Sequence, residues 1–330
     1  MLLAIHSLLI SAILLLGNAD ITLLAVGDVM LARGVGKKMK KFGISYPFEN
    51  VKPLIKEADI AFCNLECPIT EKGIPIKKKY VFKANPEAAY SLAQAGFDIV
   101  SLANNHILDC GERRLLDTFD NLSKHGIKHC GAGKTKSEIH NPLIIESKDL
   151  NIAFLAYSFF VQGSQVASVN AKTMINDIVL AKQESDVIIV SLHWGEEYAT
   201  YPDSHQIELA HQIIDAGASL VLGHHPHVFQ PVELYHGGII AYSLGNFVFD
   251  QKDEATCEST TLLCGLSKQR VSKVILVPIV IEGFRPVRSN RMESYKILDR
   301  IGKLSLRLNT TLVIKETEDN FIGEILLTEK

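Results

Sequence analysis

Between residues 21 and 283 the chain repeats one pattern, a short apolar run followed by a segment with helical spacing. The stretches 21–28 (ITLLAVGD), 59–66 (DIAFCNLE), 97–106 (FDIVSLANNH), 151–158 (NIAFLAYS), 185–195 (SDVIIVSLHWG) and 218–225 (ASLVLGHH) read as strands. Segments 86–96, 112–126 and 203–217 carry apolar residues at helical spacing and stop at glycine. This alternation predicts an α/β architecture with a largely parallel core. Runs so continuously apolar fit sheets covered on both faces. Residues 237–251 read as two short strands around Leu244-Gly245-Asn246, and 271–283 as a late strand whose Pro278 favours an edge or a bulge. Beyond Phe284 the pattern reduces to a helix and a hairpin. A chain of 330 residues is long enough for one large domain. Its body is expected over 20–290, with 291–330 as a C-terminal extension.

Five of the runs end in polar residues. Asp28 closes the first, Asn64 and Glu66 the second, Asn104, Asn105 and His106 the third, His193 the fourth, and His225 and His227 follow the fifth. In α/β folds, ligands bind in the crevice outside the carboxyl ends of the strands. Each residue alone has an ordinary reading, as a turn carboxylate, a core histidine or a surface loop. Asp109 could simply cap the helix that begins at Glu112. Together they point to one shared site. Mixed carboxylate, amide and imidazole donors suit a divalent ion such as Mn, Fe or Zn. Such ions polarise phosphoryl or carbonyl oxygens and generate hydroxide near neutral pH. If Glu66 bridges, there is room for two. The crowding of His224, His225 and His227 at the end of an apolar run then has a reason, because coordination offsets their burial.

Composition narrows the partners. A net charge of −3 gives no basis for nucleic-acid binding through a basic surface. The runs 37–41 (KKMKK) and 77–79 (KKK) read as solvated faces, with contact to an anionic polymer or lipid headgroup as the other reading. The nearly uncharged stretch 2–16, followed by Gly17-Asn18-Ala19, reads as a signal peptide or an N-terminal membrane anchor over 1–19, against a buried first element. The protein is accordingly expected outside the cytoplasm, secreted or anchored. Six cysteines permit disulfides, and Cys257 with Cys264 is the best candidate pair.

The stretches GDVMLARG, ADIAFCNLECPIT, AGFDIVSLANNHILDCG, LHWGEEY, LGHHPHVFQPVE and YSLGNFVFDQ resemble, in order and spacing, the CapA family of capsule (poly-γ-glutamate) biosynthesis proteins. That family is grouped with the calcineurin-like metallophosphatases. The resemblance implies a four-layer α/β/β/α sandwich with its site at the carboxyl edges of two central sheets. It implies Asp28, Glu66, Asn105, His193, His225 and His227 as metal ligands, His106 as proton donor and Asp109 as its orienting carboxylate. Asn64, Asn104, Trp194, Glu197, His224 and Asn246 are expected around the substrate or behind the ligands. Departures are visible. Met30 stands where the superfamily's first motif has histidine, Glu66 where it has aspartate, and an extra residue separates Gly223 from the His225-Pro226-His227 spacing. Pro226 is expected to hold His225 extended, so that His225 and His227 face one site and His224 points away. Two functions follow from the resemblance. One is an exported hydrolase using a metal-bound water on a phosphoester or an anionic polymer. The other is a non-catalytic, polymer-binding partner of membrane-bound capsule synthesis subunits.

Overall fold

The opening runs form a parallel unit: β1 (Ile21–Val29), α1 (Arg33–Phe42), α2 (Lys52–Glu57), β2 (Ile60–Leu65), α3 (Glu87–Ala95), β3 (Ile99–Ser101), α4 (Glu112–Lys124) and β4 (Lys128–Cys130). A second sheet follows from α5 (Lys136–His140), β5 (Leu143–Ser147), β6 (Leu150–Ser158), α6 (Ala171–Ala181), β7 (Val187–His193), α7 (Ser204–Ala216), β8 (Leu220–His224), β9 (Val232–Tyr235) and β10 (Gly238–Ala241). The chain then returns to the first sheet through β11 (Asn246–Val248), α8 (Glu254–Cys257), β12 (Glu258–Ser267), β13 (Arg270–Glu282), β14 (Arg285–Arg288), α9 (Arg291–Leu306), β15 (Leu312–Glu316) and β16 (Phe321–Ile325). The structure, a computed structural model, describes residues 16–17, 19–73, 76–161 and 165–327. Residues 1–15 and 18 of the expected leader lie outside them. Among the described residues no helix is long and apolar enough to cross a membrane.

The first sheet runs β15-β16-β13-β12-β1-β2-β3-β4, with β11 beside β1 and β14 beside β13. The second runs β5-β6-β7-β8-β10-β9. Strand alternation in the second sheet explains how the layers stack. Ile152, Phe154, Ile189, Leu220, Leu222 and Ile239 join the core of the first sheet, and Phe62 stacks on Phe154 across the gap at 5.8 Å. The intervening Ala153, Leu155, Ile188, Val190, Val221 and Ile240 pack instead with Met174 and Ile178 of α6 and Leu209 and Ile213 of α7. Leu92 of α3, Leu115 and Leu122 of α4, and Ile297 and Ile301 of α9 complete the first core. The order is helices, sheet, sheet, helices. Helix α7 starts at a reciprocal cap: Gln206 N–H donates to Asp203 at 2.8 Å and Asp203 N–H to the Gln206 side chain at 3.1 Å.

Several expectations change. The first sheet is only half parallel, since β12 pairs antiparallel with β1 and β13 with β12. The polar opening of ESTTLLCGLS hides β12 from an apolar-run search. Pro278 sits in an interior strand. One side of β13 pairs with β12, while on the other β16 meets residues 275–276 and β14 meets 279–282, so the proline falls between two partners. The third run is strand only to Ser101, and Leu102–His106 leaves the sheet in turns. All six cysteines are free. Cys257 ends α8 and Cys264 lies inside β12. That extended spacing separates them by about 20 Å, beyond disulfide reach.

Two glycines allow backbone to pass close to the site. A Cβ on Gly27 would lie 1.9 Å from Gly245 O, and one on Gly223 would lie 1.8 Å from Tyr242 O. Gly302 in α9 has only ordinary contacts at 3.8 Å. Gly223→Ala is therefore expected to lower stability by ~3 kcal/mol through overpacking. Gly302→Ala should raise it by ~0.5–1 kcal/mol through helix propensity. Urea unfolding of both variants checks the pair, and a neutral Gly223→Ala would contradict the close approach.

Candidate metal centre

The site is built where β1, β2, β7 and β8 end. Register breaks in the pairing of β1 between Ala25 and Asp28, which sets Asp28 opposite Asn64 of β2 and Asn246 of β11. Its carboxylate is fully buried. Oδ1 accepts from the Asn64 amide at 2.8 Å and lies 3.5 Å from His224 Nδ1. Oδ2 accepts from His225 N–H at 3.2 Å and lies 3.3 Å from His227 Nδ1. Burial raises the Asp28 pKa, but His224 and His227 outweigh it and hold the group well below the usual carboxylate range. Asn64 also stands 3.3 Å from His193 Nδ1, and its oxygen accepts from Asn104 at 3.1 Å. Asn246 Oδ1 meets His227 Nδ1 at 3.0 Å.

Glu66 occupies the centre. Both of its carboxylate oxygens are buried without a hydrogen-bond donor among the described residues. His106, His193 and His227 present Nε2 atoms to Oε1 at 3.9, 3.9 and 4.0 Å. These separations are too long for hydrogen bonds, and they leave space in which several lone pairs converge. Burial, reinforced by the Asp28 charge, pushes the Glu66 pKa well above normal. Burial opposes a charge on His227, yet Glu66 and Asp28 win and lift it to about 9. Burial and then His227 press His225 down to about 3, while burial and then His225 hold His193 well below the normal imidazole value. Asp28, Glu66 and His193 each offer a ligand atom, all within 4.8 Å of one another. Orphaned carboxylate oxygens beside neutral imidazoles fit a borderline divalent ion.

The third run supplies a second group. Asn105 Oδ1 meets His193 Nε2 at 3.1 Å, and Asn104 anchors the turn by donating to Leu65 O at 2.9 Å. His106 Nδ1 lies 2.7 Å from Asp109 Oδ2, and its ring stacks on Phe82 at 3.7 Å. Asp109 also accepts from Phe82 N–H at 2.8 Å and from Lys78 Nζ at 2.9 Å. A carboxylate so occupied can only accept from His106, so Nδ1 carries the proton and Nε2 faces Glu66. Burial lowers the His106 pKa against the pull of Asp109.

Some expected residues take other places. Trp194 points to the far face of the second sheet, where it stacks on Tyr242 and donates to Tyr242 O at 2.9 Å. Strand alternation sends it away from His193, so it does not line the cleft. Glu197 is exposed near the rim and acts on Glu66 and His227 only through its charge. The extended geometry expected around Pro226 is absent, because His225 and His227 have φ of 98° and 59°. His224 does not point away either. It continues the inward face set by Leu220 and Leu222, which brings its ring to Asp28. Met30 is buried and accepts from Ala32 N–H at 3.2 Å through sulfur, so it offers no nitrogen. Lys78, Phe82 and Phe160 were not anticipated. Phe160 lies 4.1 Å from the His225 ring. The available signal for Lys78 was the position of its lysine run, in the connection that follows Glu66.

Two packed sheets between helices, with this donor set at the strand ends, define a metallophosphatase-type fold. A solved phosphatase from Mycoplasma pneumoniae shares it, with a TM-score of 0.51 and 16% identity over 79% of this chain and 93% of that one. The family model described as bacterial capsule synthesis protein PGA_cap matches residues 22–251, and the chain belongs to that family. It is 32% identical over 288 residues to capsule biosynthesis protein CapA of Bacillus anthracis, covering 82% of this chain and 69% of the relative. It is also 32% identical over 292 residues to PGA biosynthesis protein CapA of Bacillus subtilis strain 168, covering 84% and 77%.

Proton balance gives a test of the centre. A ligand must shed its proton before it coordinates. His227, lifted to about 9, holds a proton at pH 7, and the Glu66 pKa is raised as well. Affinity for Mn or Zn should therefore rise with pH up to about 9, by roughly tenfold per pH unit for each proton displaced. Calorimetry in two buffers of different ionisation enthalpy measures the release. A pH-independent affinity between 7 and 9 would remove His227 from the ligand set.

Proposed function

We propose that this protein is a metal-dependent hydrolase acting on a phosphoester or on an anionic polymer of the capsule type, exported or held at the membrane by residues 1–19. The observation that carries the reading is the orientation of His106. Its Nδ1 is committed to Asp109 and its Nε2 is directed at Glu66, at the edge of the donor cluster. A site with only a structural task has little use for an imidazole prepared in this way. Asp28, Glu66, Asn105, His193, His225 and His227 would hold one or two ions, with His224 also within reach of Asp28. An ion bound there would polarise the scissile phosphoryl or carbonyl group and lower the pKa of a nearby water.

The chain's own residues supply the rest. In its imidazolium form, with a proton on each nitrogen, His106 would donate from Nε2 to the departing oxygen or nitrogen. Asp109 fixes the ring and stabilises its charged form. Lys78 and Phe82 N–H keep Asp109 in place. Asn64 and Asn104 keep Asp28 and the Asn105 turn in register. A second reading, a polymer-binding partner of membrane-bound synthesis subunits without turnover, is favoured by Met30 in place of a histidine donor.

His106→Ala separates the two. As proton donor it should leave metal stoichiometry unchanged while lowering turnover of a small phosphodiester or of poly-γ-glutamate by ~10²–10⁴. Equal turnover by wild type and variant would remove the catalytic role of His106, no metal-dependent turnover in either would support the non-catalytic reading, and lost metal would make His106 a ligand. For the leader, removing residues 1–19 should abolish export and leave a folded chain. A deletion variant that fails to fold would assign that segment to the core.

A further inference from the structure

We propose that the exposed face of α1 is a docking track for a linear polycarboxylate, leading to the candidate metal centre. In calling this ligand a substrate, the inference rests on the hydrolase reading above; the binding itself does not. Helix α1, RGVGKKMKKF, carries five cations and no acidic residue in a chain of net charge −3. Val35 and Met39 are its buried residues. Arg33, Lys37, Lys40 and Lys41 are exposed and recur at helical spacing, so they form one stripe about 12 Å long. Among the described residues, ion pairing in α1 is confined to Arg33, and Lys37 and Lys41 repel each other at i,i+4. A run that forgoes neutralisation in this way presents a positive field to an anionic chain.

The stripe is directed. Arg33 sits at the N-terminal end of α1 with φ of 49°, a left-handed conformation, and its positive charge opposes the helix dipole. It is held there by Asp250 at 3.2 Å, with its guanidinium 5.3 Å from the Phe82 ring and 5.7 Å from Tyr80. Phe82 is the ring that stacks on His106. The stripe therefore ends one aromatic ring from the proposed proton donor. Exposed Lys77 and Lys79 flank the same rim.

An anionic membrane fits the surface less well. Binding of a basic helix to lipid needs a free apolar face. Here that face is turned inward. Phe42, the exposed apolar residue, stacks on Tyr46 at 5.3 Å and lies under the ammonium groups of Lys38 and Lys41.

The test measures binding of fluorescent poly-γ-glutamate to the full chain by anisotropy across a salt series. K37E/K41E should weaken binding at least tenfold and flatten the salt dependence. K37Q/K41Q should fall between it and wild type. K124E/K172E, with the same charge change on exposed lysines elsewhere, should shift affinity less than twofold. Metal-dependent thermal stabilisation should be equal in all of them, which reports folding and an intact centre. Loss of polymer binding in K37E/K41E supports the track even if no polymer is ever cleaved, in which case only the hydrolase reading fails. Equal losses in the two Glu pairs, no loss in K37E/K41E, or capture of phosphatidylglycerol vesicles without capture of polymer overturns the proposal.

Discussion

A single buried carboxylate organises this molecule's working edge. Asp28 has no access to solvent, and a charge in that position is tolerable only if neighbours replace the lost water. They come from every direction. Asn64 donates from β2, the His225 amide from the end of β8, and the His224 and His227 rings close from the second sheet. Because those donors belong to both sheets, satisfying Asp28 also fixes how the two sheets meet. The register break in β1 and the absence of a side chain at Gly27 are local conditions for the same contact.

Glu66 shows the opposite balance. It lies beside an ionised Asp28 but receives no hydrogen bond among the described residues, so burial and like charge act together on it. The charge it would carry is instead answered by His227, whose pKa rises to about 9. The neutral members of the cluster, His193 and His225, are already in the form that coordinates. Outside this cluster lies a second tier, in which Lys78, Asp109 and Phe82 hold His106 by hydrogen bonds and stacking. The two tiers touch through Asn105, which meets His193, and through Glu66, which faces His106.

Much of this was legible in the linear chain. The apolar runs located β1, β2, β6, β7 and β8, because burial on both faces demands continuous apolar sequence, and the polar residues at their ends marked the crevice. Residue type at those ends pointed to a metal. The order of motifs carried the family. Side-chain direction was decided only by tertiary structure. His193 and Trp194 are adjacent, and strand alternation sends one to the site and the other to the helices. His224 joins the cluster because strand alternation in β8 sets it on the inward face of Leu220 and Leu222, and left-handed backbone at His225 and His227 replaces the extended geometry expected around Pro226. β12 was invisible because its polar opening masks a strand buried between β1 and β13. Lys78 looked like part of a solvated run until the fold carried it to Asp109, 31 residues away. Local sequence determines which segments are buried and which chemistry they carry. The partner of each buried charge is set by long-range packing, because that partner comes from a strand or loop distant in the chain.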